Sequence, residues 1–304
     1  VPEKKNDLAV GGGLLLAVTL WGGNNAGTKW LLGSWPPIAT GSTRFLAAGI
    51  ILLACVRFFA PSAREKFPAG VWSSLWWRGG LSLAAYVLFY ALALRRIPVS
   101  HIALYLGASP VWALLGEGRP RWNFSSGQRY GAALLALAGV FILFWPALHH
   151  GQSNMLGEFL GLIASFTWAN FNRQSRRLAA NVSGVTVAAH SMWMAGAWLL
   201  PFGIYEIAMR GIILDSPHLG VQAFCILFGS VVPYAFWNSA LKVWRTSRVM
   251  LFNNLIPLTT TLCAYFFLHE PITSTFCLAM VLIIAGVALG QADFSKAMKQ
   301  TKVS

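Results

Sequence analysis

Trp21-Gly22-Gly23-Asn24-Asn25-Ala26-Gly27-Thr28-Lys29 is followed, 147 residues later, by Trp168-Ala169-Asn170-Phe171-Asn172-Arg173-Gln174-Ser175-Arg176. Trp21 aligns with Trp168, Asn25 with Asn172, Thr28 with Ser175 and Lys29 with Arg176. The same register pairs Ala48-Gly49 with Ala195-Gly196, Ser100 with Ser247, Pro110 with Pro257, and Ala138-Gly139-Val140 with Ala285-Gly286-Val287. Matches that include Trp, Asn and Pro in one register are hard to get by chance, even in a chain of few residue types. The chain therefore reads as a duplication, residues 1–150 and residues 151–304.

Each copy is too apolar for water. Of 304 residues 56% are hydrophobic and 11% charged, and the mean hydropathy is +0.59. A water-soluble globule of this composition would lack the polar surface to cover itself. Apolar runs of roughly 20 residues, the length that crosses about 30 Å of hydrocarbon, recur along the chain. They fall near Leu8–Leu32, Pro37–Ala60, Val71–Leu94, Pro98–Leu115, Gln128–Pro146, Gly157–Arg173, Gly184–Ile207, Gly220–Leu241, Ser247–Leu268 and Ile272–Gln291. They are apolar on every face and about twice the length of a barrel strand, so the expected class is all-α, a polytopic membrane protein of ten transmembrane helices. Lys4 and Lys5 ahead of the first run suggest a signal peptide, but that span carries polar residues at its far end and no small-x-small cleavage site. It reads as a retained helix.

Five spans per copy is an odd number, so the second copy enters the membrane the opposite way round. Inverted repeats are related by a pseudo-two-fold axis in the membrane plane and give two near-equivalent conformations that open to opposite sides. Alternating access needs this; a static role does not.

The net charge of +14 invites a nucleic-acid partner, yet its distribution points to lipid. With a cytoplasmic N-terminus, the inner segments carry seventeen of the 23 basic residues, and the outer segments only Arg95, Arg96 and Arg210. This is the positive-inside bias, which places both termini in the cytoplasm of a cell membrane and requires no nucleic acid. Cys55, Cys225, Cys263 and Cys277 fall inside spans without metal-ligand spacing, and no catalytic group, metal site or cofactor is expected. An embedded lipid-modifying enzyme would need clustered acids or histidines at a membrane face, and the nine acidic residues form no such cluster. A non-transporting sensor or scaffold is the remaining alternative.

Three stretches resemble a known family. Trp21-Gly22-Gly23-Asn24-Asn25 with Lys29, Arg44-Phe45-Leu46-Ala47-Ala48, and Tyr90-Ala91-Leu92 are similar to the first half of an EamA domain of the drug/metabolite transporter superfamily. Asn254-Leu255-Ile256-Pro257, then Leu268-His269-Glu270-Pro271-Ile272-Thr273 and Ala285-Gly286-Val287 resemble its closing helices. The resemblance spans nearly the whole chain and implies export of small organic metabolites such as amino acids. One stretch departs: Gly116-Glu117-Gly118-Arg119-Pro120-Arg121-Trp122-Asn123 is polar where the second copy, from Cys263 to Glu270, is mostly apolar. The fourth helix is expected to end about two turns before the ninth.

Polar groups that persist inside a bilayer usually face the bundle interior or a wet cavity. Trp21, Asn25 and Lys29 stand at i, i+4 and i+8 on one helix face, and Trp168, Asn172 and Arg176 repeat it. These residues read either as the lining of a substrate site or as packing and interhelical hydrogen bonds. Arg44 lies about 10 Å inside its helix end with no Asp or Glu in the middle of any span. Helix carbonyls, water or a bound anion must neutralise it, and a substrate carboxylate or phosphate is the attractive partner. Lys29 either joins it or snorkels to the headgroups. Tyr86, Tyr90, Tyr105, Trp237 and Asn253 complete the candidate binding set, and Pro110 and Pro257 are the candidate hinges. The lack of a mid-span carboxylate favours facilitated export or exchange over ion coupling. His101 and His190 are the remaining titratable candidates.

Overall fold

The computed structural model describes residues 2–59, 70–109, 111–112, 128, 131–132, 134–142, 145, 154–180, 182–244, 249 and 251–291, without the side chains of residues 2–7, 251, 254, 287, 290 and 291. Among the described residues there is no β-strand. In chain order the helices are α1 (Pro2–Leu31), α2 (Pro37–Phe59), α3 (Val71–Leu94), α4 (Val99–Gly107), α5 (134–142), α6 (Met155–Leu178), α7 (Gly184–Arg210), α8 (Ser216–Val243), α9 (Ile256–Leu268) and α10 (Ser274–Gln291). By length and composition α2, α3, α7 and α8 can each cross a bilayer, and α9 and α10 are shorter apolar helices.

Local chemistry sets the helix ends. Asn154 Oδ1 accepts from Gly157 N at the start of α6, Ser183 Oγ from Thr186 N at α7, and Asp215 Oδ1 from His218 N at α8; each satisfies a first-turn N–H that has no intrahelical acceptor. The same backbone N–H, with the His218 ring, holds the Asp215 carboxyl below the usual carboxylate range. Glu206 on α7 caps α2 from outside, accepting from Ile38 N at 2.7 Å and Ala39 N at 3.2 Å. At its other end α7 stops at Gly211, whose φ of 73° suits a residue without Cβ.

The fourth and ninth helices depart from expectation. The described part of α4 ends at Gly107 with a turn over Ala108 and Ser109; Pro110 and Gly116 to Asn123 lie outside the described residues. Within the run expected as one helix from Ser247, Val249 is helical, a 3₁₀ turn interrupts the run over Leu251–Leu255, and a further α-helix begins at Ile256. Pro257 thus occupies the first helical turn, where its missing N–H removes no hydrogen bond. The sequence also gave no sign of three π-helical turns, Leu75–Gly80 in α3, Leu227–Val231 in α8 and Ala264–Leu268 in α9.

Packing reproduces the 147-residue register as reciprocal contacts. On α2 and α7, a Cβ on Gly49 would collide with the backbone N of Trp193, and one on Gly196 would stand 2.5 Å from the backbone N of Leu46. Trp193 is the register partner of Leu46, so the two contacts are one contact seen from each copy. On α5 and α10 a Cβ on Gly139 would meet Ile283 Cγ1 at 2.8 Å and Ala279 O at 2.9 Å; one on Gly286 would meet Ala136 N at 2.6 Å and Ala132 O at 2.7 Å. These partners too are register mates. Small residues at helix crossings let backbones approach closely where lipid supplies no hydrophobic drive for association.

Because the facing atoms at the first crossing are backbone and cannot swing away, Gly49→Val and Gly196→Val should each destabilise by about 1–3 kcal/mol. Thermal unfolding in detergent should place both well below the wild-type midpoint. Gly12→Ala and Gly220→Ala, where a Cβ meets open space, should not lower it.

Candidate functional site

The face predicted on α1 points to the middle of the bundle. Trp21 and Trp168 are buried, and their rings meet edge to face, centroids 5.6 Å apart at 89°. Register mates in direct contact mark the place where the two copies meet. Tyr234 and Trp237 of α8 close on Trp21 at 5.7 Å and 5.0 Å, and Tyr86 of α3 lies 4.9 Å from Trp168. Edge-to-face and tilted pairs at these separations suit the ring quadrupoles.

Asn25 joins three helices: Tyr90 Oη donates to its Oδ1 at 2.7 Å, and its Nδ2 donates to Thr260 Oγ1 at 2.9 Å. In the second copy Trp237 Nε1 donates to Asn172 Oδ1 at 2.6 Å. Trp237 is the register mate of Tyr90, so the same interhelical bond is made twice, once by a phenol and once by an indole. The cations repeat likewise. Lys29 Nζ donates to Leu94 O and Ile97 O, both at 2.7 Å, and Arg176 Nη1 donates to Leu241 O and Trp244 O, which are their register mates. Lys29 and Arg176 thus satisfy the carbonyls that end α3 and α8, the function helix C-termini ask of a cation.

Around Trp21 and Trp168 lies a cavity of about 20 Å³, room for about one water molecule. Of the sequence-predicted residues, Trp21, Asn25, Arg44, Tyr86, Tyr90 and Trp168 line it. Asn172 and Trp237 stand behind this wall. Lys29 is at the helix cap described above, and Tyr105 bonds Glu158 instead. Asn253 is also elsewhere: its Nδ2 donates to Ser109 Oγ at 3.2 Å and ties the turn before α9 to the turn that ends α4. Pro257 packs on α4, 2.8 Å from where a Cβ on Gly107 would stand. Sequence reasoning missed Asn24, Tyr234 and Gly229 as lining residues. Tyr234 was within reach, being one turn before Trp237, whereas Gly229 depends on a π turn that no residue pattern announces.

Arg44 is 3% exposed. Its Nη1 donates to Asn24 Oδ1 at 3.1 Å and Thr28 Oγ1 at 2.8 Å, and its Nε has no partner. Both acceptors are neutral, and no salt bridge to Arg44 occurs among the described residues. Asn24 is itself pressed onto Gly229, where any Cβ would displace it, and Trp21 Nε1 donates to Gly229 O at 3.1 Å. The π turn of α8, the amide of Asn24 and the guanidinium of Arg44 thus form one connected unit at the cavity edge. Among the described residues no three His, Cys, Asp or Glu side chains are grouped to hold a metal.

A helical membrane protein whose repeated elements surround a central, aromatic, cation-edged cavity is the class these features define. The profile of the EamA-like transporter family matches residues 11–145 and again residues 155–290, and the chain belongs to that family. It is 24% identical over 281 residues to a probable amino-acid metabolite efflux pump of Escherichia coli (strain K12), covering 90% of this chain and 91% of that protein. A protein of the same description from Salmonella typhimurium (strain LT2) is 25% identical over 289 residues, covering 92% and 94%. A solved crystal structure 20% identical in sequence superposes with a TM-score of 0.64 over 92% of this chain and 96% of its own, and shares the fold.

If Lys29 and Arg176 serve as caps, Lys29→Met and Arg176→Met should each cost about 1–3 kcal/mol by orphaning two carbonyls. Melting in detergent checks this, with Lys29→Arg expected to retain most of the stability. Unchanged melting in both Met variants would remove the capping role.

Proposed function

We propose that the protein is an alternating-access carrier that exports small organic metabolites with one anionic group, amino acids foremost. The observation that carries this reading is Arg44: a buried guanidinium at the edge of the central cavity, with neutral partners and a free Nε. A buried cation without a counter-ion is costly, and a substrate carboxylate supplies the missing charge. The aromatic walls of Trp21, Trp168, Tyr86 and Tyr234 suit an ammonium group or an apolar side chain, which favours an amino acid over a sugar phosphate. The descriptions of the Escherichia coli and Salmonella relatives support the same class.

In this reading the ten helices are ten spans in two opposed units, 1–150 and 151–304, with both termini in the cytoplasm of the inner membrane. Trp21, Asn25, Arg44, Tyr86, Tyr90 and Trp168 contact the solute. Asn172 and Trp237 hold the wall behind them, and Lys29, Tyr105 and Asn253 act from outside the cavity. A cavity of about 20 Å³ is smaller than an amino acid, so binding requires α1 and α6 to part from α3, α4, α8 and α9. Pro257, at the joint between the 3₁₀ turn and α9, is the hinge proposed for this movement, with Pro110 its counterpart in the first copy. A carboxylate on Arg44 competes with Asn24 and Thr28 for the guanidinium. Substrate arrival thus loosens the contact between Asn24 and α8, a route from binding to movement.

Counterflow of radiolabelled amino acids, nucleobases and sugar phosphates into proteoliposomes tests the reading. Some amino acids should exchange, and Arg44→Ala should lower their apparent affinity about tenfold or more, the weight of a charged hydrogen bond. Trp21→Ala and Asn25→Ala should also impair exchange. Normal carriage of the same solute by all three variants would refute the site.

A further inference from the structure

Every carboxylate whose side chain the structure describes is engaged at one end of the bundle. Glu206 caps α2 and Glu270 caps α4, Glu158 at the start of α6 bonds His101 and Tyr105, and Asp215 caps α8. The opposite end, where α3 and α7 begin and α6 finishes, has no anion among the described residues. It does have a cation inside a span. Arg78 stands about 10 Å along α3 from Val71 and is exposed. No hydrogen bond, ion pair or ring contact engages its guanidinium among the described residues.

The surroundings are apolar and aromatic. The glycines after Arg78 face inward: a Cβ on Gly79 would stand 2.5 Å from Ser191 Oγ and one on Gly80 2.6 Å from Met194 Cβ, so α3 lies tight on α7. Val71, Leu75, Leu178, Val187 and Met194 form a separate apolar cluster at this contact. Arg78 is left on the exposed side of it, next to Trp77, which is 56% exposed. Trp76 and Trp77 both meet Trp198 of α7, with centroids 5.3 Å apart in each case. Leu81, one turn beyond Trp77, continues the exposed face. A lone cation on such a face meets hydrocarbon, which is costly. Helical side chains tilt toward the N-terminus, so the arginine stem carries its charge back toward the start of α3, where the headgroups lie. The register mate of Arg78 is the fully buried Cys225, so the second copy presents no cation at the matching position.

We propose that Arg78, with Trp77 and Trp198, binds a phospholipid of net negative charge in the leaflet where α3 begins, the cytoplasmic one on the topology proposed above. The planar guanidinium pairs with two phosphate oxygens, indole rings suit the depth of the glycerol esters, and Leu81 borders an acyl chain. A headgroup with its own ammonium offers a phosphate already partly neutralised and sets a like charge near Arg78. One whose only charge is the phosphate does neither, and acidic lipid is therefore preferred. The bound lipid bridges α3 and α7 at the end where no described carboxylate joins them, and it stabilises the bundle by linkage. None of this depends on what the protein carries.

Native mass spectrometry of the full chain in detergent, with phosphatidylglycerol and phosphatidylethanolamine of identical acyl chains added together, measures the preference. Phosphatidylglycerol adducts should dominate on the wild type. Arg78→Gln should weaken phosphatidylglycerol binding about tenfold, the weight of a hydrogen bond to a charged group, and affect phosphatidylethanolamine less. Arg95→Gln, which removes an exposed arginine at the other end of α3, should bind as the wild type does. Without added lipid Arg78→Gln should melt with the wild type, which establishes that it folds, and Arg78→Lys should keep the preference in weaker form. Equal binding of the two lipids by the wild type, or a full preference surviving in Arg78→Gln, would overturn the site. Displacement of phosphatidylglycerol by inorganic phosphate alone would overturn it too, by showing that the acyl chains contribute nothing.

Discussion

Hydrocarbon donates and accepts no hydrogen bonds, so a polar group that a chain carries into a bilayer needs a partner within the protein, on its own helix or on another. That constraint organises this protein. The Asn25–Tyr90 and Asn172–Trp237 bonds fasten α1 to α3 and α6 to α8. The Lys29 and Arg176 caps fasten the same helix pairs at their ends. Glycine crossings between α2 and α7 and between α5 and α10 join one copy to the other. Several of the bonds that hold the bundle are made twice, once in each copy, within an extensive apolar core.

Against that regular frame, the cavity wall is lopsided. Its polar side, Asn24, Asn25, Arg44 and Tyr90, comes from the first copy, while the second contributes Trp168, Gly229, Tyr234 and Ile256. The register mate of Arg44 is Ser191, whose buried Oγ has no partner. A two-fold symmetric site would present two guanidinium groups and repel itself; a single one leaves room for a single anion. Glu158, buried and bonded to His101 and Tyr105 at the start of α6, is one-sided too, its register mate being Gly11. The duplication supplies the frame, and the copies differ at the cavity wall.

Much of the frame was legible in the sequence because it rests on repetition and on helix periodicity, both properties of one strand of text. The Trp and Asn positions and the paired glycines are read by sliding the chain against itself, and Arg44 stands out because a charge in an apolar run is rare. What escaped depends on backbone detail. The π turn around Gly229 rotates the rest of α8 relative to its start, which brings Tyr234 to the cavity and lets Asn24 touch the backbone. Lys29 shares a face with Trp21 and Asn25, yet its long stem carries the ammonium past the cavity to the end of α3. Tyr105 lies on the right helix and points to α6, because Gly161 leaves space for its ring and Glu158 accepts its hydroxyl. Spacing along one helix says which face a residue takes, and the neighbour's small residues decide what that face meets.

The central claim is that the space between Trp21 and Trp168 opens in turn to each side of the membrane. Ile256→Cys, in a chain with Cys55, Cys225, Cys263 and Cys277 replaced by alanine, places one thiol in the cavity wall. A membrane-impermeant thiol reagent should label it from either face of sealed vesicles, at rates that excess transported solute slows from both. Labelling from one face alone, or from neither, would contradict alternating access at this site.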